Sequence, residues 1–435
     1  MIALIAVTPL LRAQETRPVD PDEGFESPTA GSPSPRLPDD PPNPTAGAIL
    51  EGRLAPGSVF DRFLVSTFVS PILYPASGRR RRRRLRADRR GLPQLAPARE
   101  FANLVVTYTT EGQQAYRFAW RRWLHHREPP GGRRPARGAP HVGLTAGYSR
   151  TLTRRFFGLG PETTPGDETS YTDQVAVLGG KVQWSLPEAG GDWTLFLGVD
   201  VEHHNLSYGK VTGIPSMEQV HPGLFDDADD RLLPWLRARF ELNTRDSATQ
   251  PYRGTTLGLG VAAAPLQTEG RGGLSWILDA TQVVPLPSPF HDDGSVDERN
   301  PPTDTLAFGA FLTQAEGDLP FYSLPSLGGG STLRGYINDR WTDDAAWHAS
   351  AEWRTWFVPR GFKLTRSIRV ERIGAALFYD VGSVGPRVDA FDRAPVRDSY
   401  GVGLRIALER LAVFRVDLGF SAEGRNLTVA FGLPF

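Results

Sequence analysis

From about residue 60 onward, apolar and polar residues alternate in short segments separated by Gly, Pro, Asp and Arg clusters. That is the period of strands with one face against something apolar. In 426–435 every odd position is apolar (Leu427, Val429, Phe431, Leu433, Phe435) and every even one through Gly432 is small or polar. The segment before it sets Phe414, Val416, Leu418 and Phe420 against Arg415, Asp417 and Gly419. The one before that sets Val402, Leu404 and Ile406 against Gly401, Gly403 and Arg405. The pattern predicts strands near 61–74, 101–109, 114–124, 140–150, 171–184, 193–207, 231–243, 253–264, 273–284, 304–313, 345–357, 372–382, 398–409, 411–420 and 426–435. Alternation by itself suits a soluble sandwich and a membrane barrel equally.

The ends of the chain read differently. Met1 to Leu11 is a short apolar run that predicts a signal peptide over 1–13, with a buried strand as the alternative. Residues 14–58 hold ten prolines among Asp, Glu, Ser, Thr and Gly. Such a segment buries too little apolar surface to offset chain entropy, so a disordered leader is expected. The β domain is then 59–435. Beyond the first eleven residues no apolar run reaches the ~18 residues of a spanning helix. Arg79 to Arg84 are all arginine. At ~2–4 kcal/mol for each lipid-facing Arg near the bilayer middle, that run is not a membrane strand. It reads as a loop meeting lipopolysaccharide phosphates, or as a solvated charged loop.

Composition removes several function classes. With 49 basic and 49 acidic residues, nothing favours nucleic acid as a partner. The absence of cysteine removes thiolate metal sites and Cys nucleophiles. The pairs His125-His126 and His203-His204 are adjacent, and adjacent strand residues face opposite ways, so neither pair holds one metal. No nucleophile elbow, metalloprotease or dinucleotide motif is present, which leaves no candidate catalytic residue and no cofactor. An outer-membrane lipase remains the enzyme alternative, because a strand-borne Ser and His can meet on a barrel's outer wall.

The most distinctive stretch is Leu324-Pro-Ser-Leu-Gly-Gly-Gly-Ser-Thr-Leu-Arg-Gly-Tyr336. It lacks the Lys-Ser/Thr and following helix of a phosphate loop, so Gly328, Gly329 and Gly330 are read as a turn where Cβ atoms would clash. The segment resembles the inward-folded loop of the BamA/TamA family of outer-membrane assembly barrels, also called bacterial surface antigens. Phe156 to Gly160 with Tyr171, Asn243 to Asp246 with Pro251 and Gly254, Leu319 to Tyr322, Ala351 to Arg354, Phe378 to Gly382 and Tyr400 to Arg405 extend the resemblance in order.

The resemblance implies a transmembrane antiparallel β-barrel of 16 strands with an inward-folded glycine-rich loop. One strand beyond the fifteen above is then expected in 75–100. Phe431 and Phe435 become the C-terminal insertion signal. The implied partners are outer-membrane lipids and lipopolysaccharide, the barrel assembly machinery for the chain's own insertion, and client polypeptides. The family's POTRA domains have only the proline-rich leader in their place. The implied function is insertion or translocation of proteins or lipids at the outer membrane, with a passive pore or structural barrel as the alternative. Periodicity supplies a separate expectation. If the more apolar faces meet lipid, Glu352 and Asp380 point inward, and an inward loop brings Arg334, with Gly335 and Tyr336, to them. Such a lock is either a moving part or a brace.

Overall fold

A computed structural model describes residues 100–108, 112–123, 140–186, 192–247, 250–268, 270–292, 302–363, 369–408 and 412–435. The signal-peptide and leader expectations, the strands expected in 61–100, the arginine run and His125-His126 lie outside these residues.

The described strands are β1 (Glu100–Tyr108), β2 (Gln114–Trp123), β3 (His141–Phe156), β4 (Thr169–Leu186), β5 (Trp193–Tyr208), β6 (Arg231–Asn243), β7 (Gly254–Ala264), β8 (Gly273–Leu286), β9 (Asp304–Gly317), β10 (Ser326–Leu327), β11 (Trp341–Thr342), β12 (Ala345–Val358), β13 (Phe362–Lys363), β14 (Arg369–Gly385), β15 (Arg397–Leu408), β16 (Ala412–Ser421) and β17 (Gly424–Phe431). Two short helices, α1 (Met217–Val220) and α2 (Pro222–Ala228), sit in the β5–β6 connection. One antiparallel meander runs β1 to β9, then β12, β14, β15, β16 and β17, with β13 paired at the side of β14. β10 and β11 form a small ribbon of their own, inside the long β9–β12 connection. Each predicted strand from 101–109 onward is present, with bounds shifted by a few residues. The largest shift is at β3, which continues to Phe156 past a register break between Thr151 and Arg154 that interrupts the alternation.

The sheet curls into a barrel wall with unlike faces. Large apolar side chains stand exposed on successive strands, among them Leu178 on β4, Leu197 on β5, Leu236 on β6, Leu257 on β7, Leu377 on β14 and Val402 on β15. Exposed apolar surface running from strand to strand around most of the wall is the lipid-facing belt of a membrane barrel. The other face carries buried charge: Glu352, Arg354, Asp380, Arg405, Arg415 and Asp417 are each no more than 3% exposed. Contacts across the lumen confirm the curvature, since Arg397 on β15 donates to the Pro161 carbonyl beyond β3 at 3.2 Å. β4 has 18 residues, well beyond the roughly 9–11 that cross a bilayer, so its end projects past the belt.

The alternation of 426–435 does not continue as one strand. β17 stops at Phe431, Gly432 takes a positive φ of 85°, and Pro434 has no N–H for a ladder. Phe431 stays on the outer face, edge-on to Phe414 at 5.3 Å. Phe435 instead turns inward, its ring against lumen-facing Gly309 and 5.4 Å from the Arg354 guanidinium.

Candidate functional site: the glycine loop and its lumen anchors

Residues 318–344 fold down into the barrel as a packed element. Leu327, Leu333, Tyr336 and Trp341 join Ala346 and Val384 of the wall in one apolar cluster. Each large side chain buried there contributes roughly 1.5–3 kcal/mol, which fixes the loop before any charge is considered. Gly328 and Gly329 have φ of 119° and 88°, a region closed to most side chains. Gly335 is needed for space: a Cβ there would lie 2.6 Å from the Phe420 carbonyl oxygen and 2.8 Å from the Ser399 Cβ.

That close passage sets Arg334 in the middle of the wall's charges. Its Nε and Nη2 fork onto the two oxygens of Asp380 at 2.9 and 2.8 Å, and its backbone N–H donates to the same carboxylate at 3.2 Å. Its Nη1 donates to Glu352, and the guanidinium lies 3.5 Å over the Phe378 ring. The three predicted partners therefore meet, and the even-numbered faces of β12 and β14 bring them together. Ser350 and Ser399 add hydroxyl donors to Asp380 at 2.6 and 3.4 Å.

Several members of this cluster were not singled out from the sequence. Asp417 binds Arg405 and, at 2.6 Å, Arg415, and lies 3.9 Å from Arg334. Glu352 also accepts from Arg354 at 2.7 Å and pairs with Arg405 at 3.0 Å. Three carboxylates thus face four guanidinium groups in a site closed to solvent, where each buried charge is offset by its neighbours. Arg415 also donates to the Gly330 carbonyl at 2.8 Å, so the cluster grips the loop's backbone as well as its arginine.

The loop backbone is clamped to the last strands. Asn426 of β17 donates from one amide nitrogen to the Arg334 and Tyr336 carbonyls at 3.2 and 2.9 Å, and Ser421 donates to the Gly335 carbonyl at 3.0 Å. Tyr336 itself packs edge-on to Trp341 at 4.7 Å. Near the loop's far end Arg340 makes a second anchor. It forks onto Glu423 in the β16–β17 turn at 2.8 Å and bonds Thr163 at 2.8 and 3.0 Å. Phe157 and Trp341 flank it at 4.7 and 4.6 Å. No residue pattern had marked Arg340; the usable signal was a second arginine on a loop already read as entering the lumen.

The histidine pair diverges as adjacency requires. His203 is paired with Asp230 at the exposed end of β5, while His204 is buried against Asp173 and stacks on Tyr322 at 4.1 Å. Among the described residues no group of His, Asp and Glu is arranged to hold a metal ion. Phe431 and Phe435 lie apart from each other, one on the lipid face and one in the lumen.

No curated protein sequence matches this chain. Among solved structures it is similar to BamA from Haemophilus ducreyi lacking POTRA domains 1-3, at 12% identity and a TM-score of 0.48, covering 77% of this chain and 64% of that one. It is also similar to CdiB from Escherichia coli, at 12% identity and a TM-score of 0.44, covering 76% and 58%. The chain therefore spans less than two-thirds of each of those structures. The Omp85 superfamily domain matches residues 143–433, which run from the start of β3 through the glycine loop and its anchors to the end of the sheet, and the chain belongs to the Omp85 superfamily.

Proposed function

We propose that the chain handles polypeptides at the outer membrane of a Gram-negative bacterium, inserting them into the bilayer or passing them across it. The observation that carries this reading is the loop's double attachment. Arg334 fixes it to β12 and β14 through Glu352 and Asp380, while Asn426 and Ser421 fix its backbone to β16 and β17. A brace that only stiffened the wall has no need to hold the last described strand through a side-chain clamp on the loop. A loop so tied couples the state of the buried charges to the edge of the sheet, where a client strand gains backbone partners. In this reading residues 1–13 are a signal peptide, 14–58 a dispensable leader, and Phe431 with Phe435 the mark by which the assembly machinery takes the chain. Lipopolysaccharide and outer-membrane lipids surround the barrel, and it performs no catalysis.

Depletion in the native cell tests the proposal. Loss of the chain should lower the amount of other outer-membrane or exported polypeptides, and Arg334→Ala should reproduce that loss when the variant reaches the membrane. Unchanged client levels together with steady single-channel conductance would assign the chain to the passive pores instead.

A further inference from the structure

On the outer wall, at the end of the barrel where β1 begins and β17 ends, a carboxylate stands where lipid is expected. Register pairs Arg354 with Thr305, and Ala351 with Phe308, so Asp304 shares the lipid-facing side with Phe308 and Thr355. An unpaired carboxylate on a barrel's lipid face is unfavourable, because nothing there replaces its hydration. Asp304 is nevertheless fully buried. Thr355 donates to it at 2.6 Å, the Trp356 N–H at 3.1 Å, and His291 lies against it at 3.0 Å. His291 belongs to the stretch after β8, which folds back over the wall to roof the acid. Asp292 next to it pairs with Arg360 beyond β12 at 2.9 Å, a second tie between the roof and the wall.

The roof has a consequence on the membrane side. With His291 turned in to Asp304, Phe290 is turned out and 63% exposed. Its ring, with Trp353, Thr355 and Phe357 of β12 and Ala375 and Leu377 of β14, encloses a groove of about 300 Å³. That is the lower end of the ~300–1,000 Å³ typical of small-ligand sites. Apart from the Trp353 indole N–H, Thr355 carries the one polar group among these six, and its hydroxyl is already committed to Asp304. No polar surface faces the groove, and small Ala375 between larger neighbours gives it depth.

We propose that this groove holds one acyl chain of a phospholipid from the periplasm-facing leaflet. Three observations select that occupant. The groove is continuous with the exposed apolar belt, so hydrocarbon is the medium at its mouth. Its size suits a single chain rather than a multi-chain lipid. Its place at the sheet end opposite the long 209–230 and 318–344 connections is the periplasmic end, since barrels of this kind keep their longer connections outside. Trp353 and Phe357 then lie at the depth where aromatic side chains meet the interface.

The test uses the purified barrel in nanodiscs of a phospholipid with a photoactivatable diazirine at mid-chain, followed by digestion and mass mapping. Adducts are expected to concentrate on Trp353 to Phe357 and Ala375 to Leu377. Ala375→Trp, which fills the groove, should lower the yield there about tenfold while the remaining belt is unchanged, a factor that corresponds to ~1.4 kcal/mol. Phe290→Ala should lower it by a smaller factor. Heat-modifiable migration reports whether each variant is folded, and Ala375→Leu takes the place of a tryptophan variant that is not. Adducts spread evenly around the belt, adducts insensitive to a folded groove-filling variant, or a protein–protein adduct through Phe357 in place of the lipid one would each overturn the assignment.

Discussion

Two arginines six residues apart on one loop, both 1% exposed, are held in opposite ways. Arg334 is set among strands: its carboxylate partners Glu352 and Asp380 are as buried as it is, and they rest on β12 and β14 in the middle of the wall. Arg340 is set among connections: Glu423 lies in the β16–β17 turn with its side chain 26% exposed, and Thr163 in the β3–β4 connection. Burial of the cation is the same in both. What differs is whether the partners can find water once the cation is gone. The accessibility of the partner carboxylate, more than that of the arginine, should set how much each anchor matters.

The sharpest break of that comparison is at Arg334. Arg334→Ala leaves two buried carboxylates short of their main donor and should destabilise the barrel by about 3–5 kcal/mol. The expected readout is a large drop in the temperature at which the folded, fast-migrating form is lost on gels. Arg334→Lys should recover only part of it, because an ammonium cannot fork onto Asp380 while reaching Glu352. Full recovery by lysine would show that charge alone holds the site.

Next in size is the clamp on the last strand. Asn426→Ala removes the donor to two loop carbonyls and should cost about 1–3 kcal/mol. The loss should appear chiefly as faster amide exchange along β17 and β16, with β12 and β14 unchanged. If exchange rises around Glu352 as much as around Asn426, the loop is a uniform plug and has no separate attachment to the edge.

How much of this was readable beforehand follows from period and distance. Alternation placed Glu352, Arg354 and Asp380 on one face because a strand's faces are set by parity alone, and the inward loop that the resemblance implies then predicted where Arg334 would point. Arg415 and Asp417 share the polar face of β16 two residues apart, yet nothing in the sequence says that β16 and β12 reach the same point in the lumen. Curvature brings them together, and it is a property of the whole sheet. α1 and α2 went unpredicted because four and seven residues are too short to show a helical period, and only Met217, Phe225 and Ala228 are buried there. The end of the chain misled for the reverse reason. Leu433 and Phe435 keep the parity of β17, but Gly432 turns the backbone away, and parity has no meaning across a positive-φ break.

Arg340→Ala tests the other side of the comparison. It removes the fork to Glu423 and the bonds to Thr163, but Glu423 has solvent to turn to. The expected cost is about 1–2 kcal/mol, below that of Arg334→Ala. Limited proteolysis should locate the loosening in 157–168 and 422–423 and leave the strands resistant. A cost equal to that of Arg334→Ala would mean that the loop's apolar packing, shared by both arginines, is what the two substitutions disturb.

The smallest effect should come from changing the carboxylate of the outer anchor to an amide, and the same change at the inner anchor supplies the contrast. Glu423→Gln keeps one oxygen that accepts from Arg340 and keeps both bonds to Thr163, and the Phe157 and Trp341 rings still flank the guanidinium. What is lost is one unit of charge at a partly wet site, worth less than about 1 kcal/mol and further reduced at high salt, where charges beyond ~3 Å are screened. Glu352→Gln makes the same chemical change where no water enters. There the carboxylate accepts from Arg334 and Arg354 and pairs with Arg405, so neutralising it leaves three guanidinium groups with one fewer counter-charge and an amide N–H₂ pointed among them. The two variants should therefore separate clearly in thermal unfolding at low salt, and raising the salt should shrink the Glu423→Gln effect while leaving that of Glu352→Gln nearly unchanged. Equal costs, or equal salt dependence, would show that solvent reaches both anchors alike and that the exposure of the partner is not what distinguishes them.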